Sequence, residues 1–220
     1  MHLTSELVDF VEACAARRAT PGGGAAAALT GALGTALGEM AAAYTVPRPG
    51  RKAEGGEDDR AGGLEATLVS RGLAQLKVIR EALLPLIESD CEAYENVVIA
   101  RKASSKGPAG DASAAAELER ALERAIDVPL QGSRLCVKAL TVLEGMAVFL
   151  NPNLVSDTAT CALLLAAAFR GFQLNVRINL GALGDDERKR AIEKESRALT
   201  GEVGVLEGKI LRESEKILAR

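Results

Sequence analysis

The chain has 220 residues and a formal net charge of −3, from 27 basic and 30 acidic side chains. Hydrophobic residues make up 48% and aromatic ones 3%, with no Trp and one histidine, His2. A core of Ala, Leu, Val and Ile suits closely packed helices, the lone terminal histidine excludes a Ser-His-Asp triad and HExxH zinc chemistry, and the balanced charge argues against a nucleic-acid partner.

The length suits one domain over residues 1–220. Residues 4–18 place Leu7, Phe10, Val11 and Cys14 at helical spacing, with Thr4 as N-cap. A second helix is predicted over 22–45, and the Pro/Gly-rich, charged stretch 46–63 reads as a surface loop. Helical patterning resumes from Leu64 to Lys102 with a kink at Pro85, and SSKGPAGDA over 104–112 is the next loop.

Residues 113–148 read as helix, with an interruption expected near Val128-Pro129. Asn151-Pro152 reads as an N-cap and first-turn proline for a helix to Arg170, which carries no charge after Asp157 and is expected to be buried all round. LNVRINL over 174–180 alternates apolar and polar residues and reads as an extended crossing segment. A last helix opens at Asp185-Asp186-Glu187, and its apolar positions from Ile192 to Ile217 follow near-heptad spacing. The expected fold class is all-α, a single-domain bundle of long antiparallel helices.

The N-terminus lacks a basic region followed by an apolar one, so no secretory signal is expected. Residues 22–46 are the one membrane-span candidate. They carry Glu39 and are mostly Ala, Gly and Thr, so no membrane partner is expected. Cys14, Cys91, Cys136 and Cys161 form no CxxC pair and read as free thiols in a reducing cytoplasm.

The stretch TPGGGAAAALTGALGTALG over 20–38 raises the functional question. Gly22, Gly23 and Gly24 at a helix start fit either a tight turn or a cradle in which free N–H groups meet a polar ligand. No Lys-Ser or Lys-Thr follows, and no strand precedes, so neither nucleotide motif is present. The small residues downstream recur at steps of three and four, a smooth face for a close helix crossing.

PGGGAAAALTGALGTAL resembles the signature of the formimidoyltetrahydrofolate cyclodeaminase / methenyltetrahydrofolate cyclohydrolase family. NPNLVSDTATCALLLAAAFRGFQLNVRINL and ESDCEAYENVVIARK resemble two further blocks of that family, in the same order. The resemblance implies an all-helical, dimerising folate one-carbon enzyme. Its substrate is a tetrahydrofolate derivative, with no metal and no nucleotide, in a folate site near the subunit interface. Three positions depart from the family's pattern: Ala25 where Ser is frequent, the 46–63 loop where a Lys/Tyr-containing segment is expected, and Leu150 where Gly precedes the Asn.

With no internal histidine, acid-base work falls to Asp, Glu, Lys, Tyr or a group of the bound substrate, and a carboxyl is the favoured carrier. The resemblance points to Asp157, where position alone favours a capping or helix-dipole aspartate. The glycines, Asn153, Ser156, Asn175, Arg177 and Asn179 are the candidate substrate-binding residues. The amides suit a pterin's mixed hydrogen-bond edge and Arg177 a glutamate carboxylate, while structural roles stay open for each. Asp90 and Tyr94 share a helix face at i, i+4, where a structural hydrogen bond or packing role is favoured and Asp90 stands as the next carboxyl after Asp157; Lys102 and Lys106 could attract a polyglutamate tail and read first as solvated. Two functions compete: a cytoplasmic, homodimeric folate enzyme, cyclodeaminase or cyclohydrolase, and a non-catalytic folate-binding or assembly dimer.

Overall fold

The computed structural model describes residues 4–46, 61–106 and 111–219. His2 and residues 47–60 and 107–110 lie outside the described residues; the described ends of the two expected loops, 61–63 and 104–106, belong to helices instead. Among the described residues seven α-helices follow one another: α1 (Ser5–Ala15), α2 (Gly23–Thr45), α3 (Ala61–Leu83), α4 (Leu86–Lys106), α5 (Ala112–Met146), α6 (Val155–Leu180) and α7 (Asp186–Leu218). Two short 3₁₀ turns, Ala147–Phe149 and Pro152–Leu154, lead into α6.

The bundle is organised by how closely α2 can approach its neighbours. A Cβ on Gly34 would lie 3.0 Å from the Leu164 Cβ and 3.2 Å from the Cys161 carbonyl, and one on Gly38 would lie 3.0 Å from the Cys161 Sγ. Ala27 meets Gly171, and Gly31 meets Ala168. As the α2 number rises the α6 number falls, so the two helices run antiparallel at glycine–alanine distance. Each interior glycine costs about 1 kcal/mol of helix propensity against alanine, and the close approach offsets it.

Against the same glycines α2 also receives α3 and α4, as one broken rod beside α6. Leu76 packs at Gly38, Leu83 at Gly31 and Asp90 at Gly24, again antiparallel. Pro85 splits the rod into two helices, since its ring blocks the preceding turn. Glu39, the one charge of α2, is neutralised by Arg80 of α3 at 2.6 Å.

The long helix α5 closes the core. Cys136, Leu140 and Leu143 are fully buried on it, as are Phe169 and Phe172 on α6. Pro129 does not interrupt α5. Along α7, Arg188 pairs with Glu123 and Asp127, Glu195 with Arg134, and Lys209 with Glu144, tying it parallel to α5. Its buried positions include Ile192, Val203, Leu206 and Ile210. The N-caps of α5 and α7 are Asp111 and Asp185, each accepting two backbone N–H groups.

The structure corrects several sequence expectations. LNVRINL is not extended: α6 continues unbroken to Leu180. That helix is not buried all round either, since Leu163, Leu174 and Ile178 are exposed on one face. Thr4 precedes α1 without a side-chain cap bond, and α1 buries no residue. Cys14 is exposed and Cys91 half-buried, while Cys136 and Cys161 are buried and their thiols pushed up to about 12 by desolvation. The segments Gly23–Thr45 and Pro152–Leu180 are long and apolar enough to cross a membrane by length and composition, but about half of each is buried within the bundle.

Replacing Gly34 by Ala should destabilise the fold despite alanine's higher propensity, because backbone atoms of α6 occupy the space. Gly201, with open space around it, should gain up to about 1 kcal/mol from the same change. Chemical denaturation of the two variants measures both signs.

Candidate functional site

The glycine run ends where three rods meet. Gly22 is the N-cap of α2 at φ −116° and ψ −160°, an extended conformation open to any residue. Glycine is required at 24 for a different reason: a Cβ there would fall inside the Asp90 carboxylate. Asp90, half-buried on α4, lies across the helix end and accepts the Ala25 N–H at 2.9 Å through Oδ2. Among the described residues the N–H groups of Gly23 and Gly24 meet no acceptor. They are two free donors at the positive end of a 23-residue helix.

Asn175 brings α6 to the same place. A Cβ on Gly23 would lie 3.4 Å from its Nδ2, which donates to the Gly171 carbonyl at 2.9 Å. This bond orients the amide and leaves its Oδ1 as an acceptor. Thr20 donates to Glu95 of α4 at 3.1 Å, and the Thr20–Pro21 peptide is cis.

Burial pushes the Asp90 carboxyl above its ordinary value of 3.8, and the Ala25 N–H acts the other way. Its neighbour Cys91 is also pushed up, first by burial and then by the Asp90 and Glu95 carboxylates. A carboxyl held partly desolvated beside unpaired N–H donors and an amide can take and return a proton while the donors hold a polar ring or developing negative charge. Among the described residues no three His, Cys, Asp or Glu side chains cluster to hold a metal.

The other sequence candidates are dispersed. Asp157 sits half-buried in the first turn of α6, with Asn153 and Ser156 exposed near it. Eighteen residues of helix separate Asp157 from Asn175, about 27 Å, so one chain does not bring the two groups together. Asn153 donates its backbone N–H to the Asn151 side chain.

Asn179 has a structural task. Pro129 supplies no N–H to the Ala125 carbonyl one turn before it. The Asn179 Nδ2 donates to that carbonyl at 2.9 Å instead. Arg177 lies two residues from Asn175, so it points to the far side of α6. There it lines a groove of about 820 Å³ between α6 and α7, together with Arg170, Lys189 and Arg197. A second cleft of about 670 Å³, between α1 and α4, includes Cys91 and Glu95. Tyr94 and Lys102 are exposed on α4, one turn and three turns beyond Asp90.

Comparisons with known proteins agree with the resemblance read from the sequence. The sequence model described as formiminotransferase-cyclodeaminase matches residues 6–198. Methenyltetrahydrofolate cyclohydrolase of Methylorubrum extorquens is 35% identical over 203 residues, covering 91% of each chain. Formimidoyltransferase-cyclodeaminase of Sus scrofa is 30% identical over 200 residues, which cover 91% of this chain and 35% of that longer protein. The crystal structure of formiminotetrahydrofolate cyclodeaminase from Thermotoga maritima superposes with a TM-score of 0.81 at 28% identity, covering 99% of this chain and 98% of that one.

Asn179→Ala should lower stability by about 1–3 kcal/mol, the cost of a buried acceptor left without a partner. In a Pro129→Ala background, where the introduced alanine restores the helical donor, the same change should cost less. A double-mutant cycle by denaturation measures the coupling.

Proposed function

The chain belongs to the formiminotransferase-cyclodeaminase family and is a folate one-carbon enzyme, and we propose that it hydrolyses 5,10-methenyltetrahydrofolate to the 10-formyl compound with Asp90 as proton carrier. The end-to-end match to a cyclohydrolase supports the hydrolytic reading. The observation that carries the site is the desolvated Asp90 carboxylate lying across a helix N-terminus with two unpaired N–H groups.

Water adds to the bridging carbon and gives one proton to the Asp90 carboxylate. The tetrahedral carbon then releases N5 as the C–N5 bond breaks. Asp90 protonates N5, and the remaining hydroxyl proton leaves as the formyl carbonyl forms. The Gly23 and Gly24 N–H groups and the Asn175 amide bind the pterin edge, which mixes donors and acceptors.

The match to the Thermotoga cyclodeaminase favours a second reading at the same site. N10 of 5-formimidoyltetrahydrofolate attacks the carbon of the formimidoyl group, which reacts as its protonated –CH=NH2⁺ form, and loses its proton to Asp90. Asp90 then returns a proton to the nitrogen that leaves as ammonia.

We also propose that the enzyme is a cytoplasmic homodimer. The four unpaired cysteines support a reducing compartment. The exposed apolar residues along α2 and α6, among them Leu33, Tyr44 and Leu174, support self-association. Sedimentation at micromolar concentration should give twice the 22.9 kDa chain mass, and a monomer alone would count against the dimer.

Incubation with each folate separates the reactions: the hydrolase consumes the methenyl chromophore, whereas the deaminase creates it and releases ammonia. Asp90→Asn keeps an oxygen for the Ala25 N–H but cannot accept a proton, so turnover should fall by about 10²–10⁴ while folding is retained. The parent's kcat/KM should fall on the acid side with an apparent pKa above the ordinary aspartate range, because the base works ionised and its pKa is raised. By the same sign, stability should decrease as pH rises through that raised value, because ionisation then opposes burial. An acid limb unchanged in Asp90→Asn would sink the assignment.

A further inference from the structure

The groove of about 820 Å³ between α6 and α7 takes no part in the folate chemistry proposed above. Its size falls within the range of small-molecule sites. Along α6 the lining residues Arg170, Gln173, Arg177 and Gly181 recur at steps of three and four, as do Lys189, Glu193, Ser196 and Thr200 along α7. One face of each helix therefore borders the groove. Asn175, at the folate site, lies two residues from Arg177 and about 200° round the helix, so α6 itself separates the two places.

The floor of the groove is apolar, made of the buried Phe169, Val176 and Leu180. Two polar groups are built into its walls. Gln173 is 8% exposed, and its Nε2 donates to Ser133 at 2.9 Å. That bond orients the amide, and among the described residues its Oε1 accepts no hydrogen bond. The Ser196 hydroxyl is the one buried side-chain polar atom without a partner among the described residues. Buried polar atoms are nearly always paired, so an orphan in the wall of a cavity points to a partner that the chain does not supply.

The charges show the same gap. Arg170, Arg177, Lys189 and Arg197 line the groove against one carboxylate, Glu193. Arg170 is answered from outside the lining by Glu207, Lys189 by Asp186 at 3.3 Å, and Arg197 by Glu193 at 3.8 Å. Arg177 is the groove cation with no ion pair among the described residues. The groove is one carboxylate short of balance.

We propose that the α6/α7 groove is a second binding site, separate from the folate site, for a small monocarboxylate carried on an apolar ring or short chain. The carboxylate pairs with the Arg177 guanidinium, whose planar fork suits two parallel N–H···O bonds. The apolar body fills the space over Phe169, Val176 and Leu180, where water finds few polar partners. The Ser196 hydroxyl donates to an oxygen of the ligand, and the Gln173 Oε1 accepts from a donor where the ligand carries one. A polyanion fits less well, because the other three cations already have carboxylates. A neutral apolar ligand would cover Arg177 without pairing it, which burial of a charge penalises.

Equilibrium dialysis of the full chain against 2-naphthoate tests the site. Saturable binding of one probe per chain is expected, about ten- to a hundredfold tighter than that of the neutral 2-naphthamide, the usual worth of a hydrogen-bonded charge. Arg177→Gln changes an exposed side chain and should leave folding intact. It should remove the preference for the acid over the amide. Ser196→Leu, which fills the groove, should abolish binding of both. Saturating 5-formyltetrahydrofolate should leave the affinity for 2-naphthoate unchanged. Equal binding of acid and amide, indifference to Arg177→Gln, or no saturable binding up to about 10 mM overturns the carboxylate site. Displacement by the folate overturns its separateness. None of these readouts involves turnover, so they stand or fall apart from the folate chemistry.

Discussion

The contact on which the structure depends is the near approach of α2 to α6. It is made of side chains no larger than alanine or threonine on α2, with the α6 backbone itself as partner at Gly34. Such a contact has little freedom to slide, since each glycine admits one ridge of the opposing helix. The register along α2 therefore fixes where its N-terminus ends, and that end falls against Asp90 and Asn175. The candidate site is a consequence of how two helices interlock along the length of α2, with the proposed chemistry at its first turn.

This dependence explains what was legible in the sequence. The small-residue periodicity of 24–38, the break at Pro85 and the acidic start of α7 are local patterns with local causes, and each corresponds to an observed feature. LNVRINL misleads because Leu174 and Ile178 face outward while Val176 and Leu180 face inward. A helix that is apolar on both sides looks like a strand when only seven residues are read. The expectation that α6 is buried all round fails for the same reason: an uncharged helix face is not by itself a core face.

The site was half legible. The glycines and Asn175 lie together, but the carboxyl beside them is Asp90, which the sequence ranks second to Asp157 and reads first as an i, i+4 partner of Tyr94. Its signal was the requirement for glycine at 24, where the reason lies 66 residues away in another helix. Asn179 shows the converse. Its amide looks like a ligand group, yet it answers the carbonyl that Pro129 leaves without a donor. Neither fact can be drawn from spacing, because each depends on a pairing between rods that only the fold supplies.

Asp90 also shows why the end of α2 is more than a capped helix. Satisfying the Ala25 N–H requires one acceptor oxygen, which Asn or Ser provides at no electrostatic cost. The structure instead places an ionisable group there, removes part of its water, and leaves the Gly23 and Gly24 donors unpaired beside it. A cap alone has no use for a carboxyl whose charged form is disfavoured, nor for glycines at 22 and 23, where a Cβ would make only ordinary contacts with the described residues. Both features acquire a reason when a polar ligand approaches the backbone at this point and a proton must be exchanged with it, which is where shifted carboxyls gather.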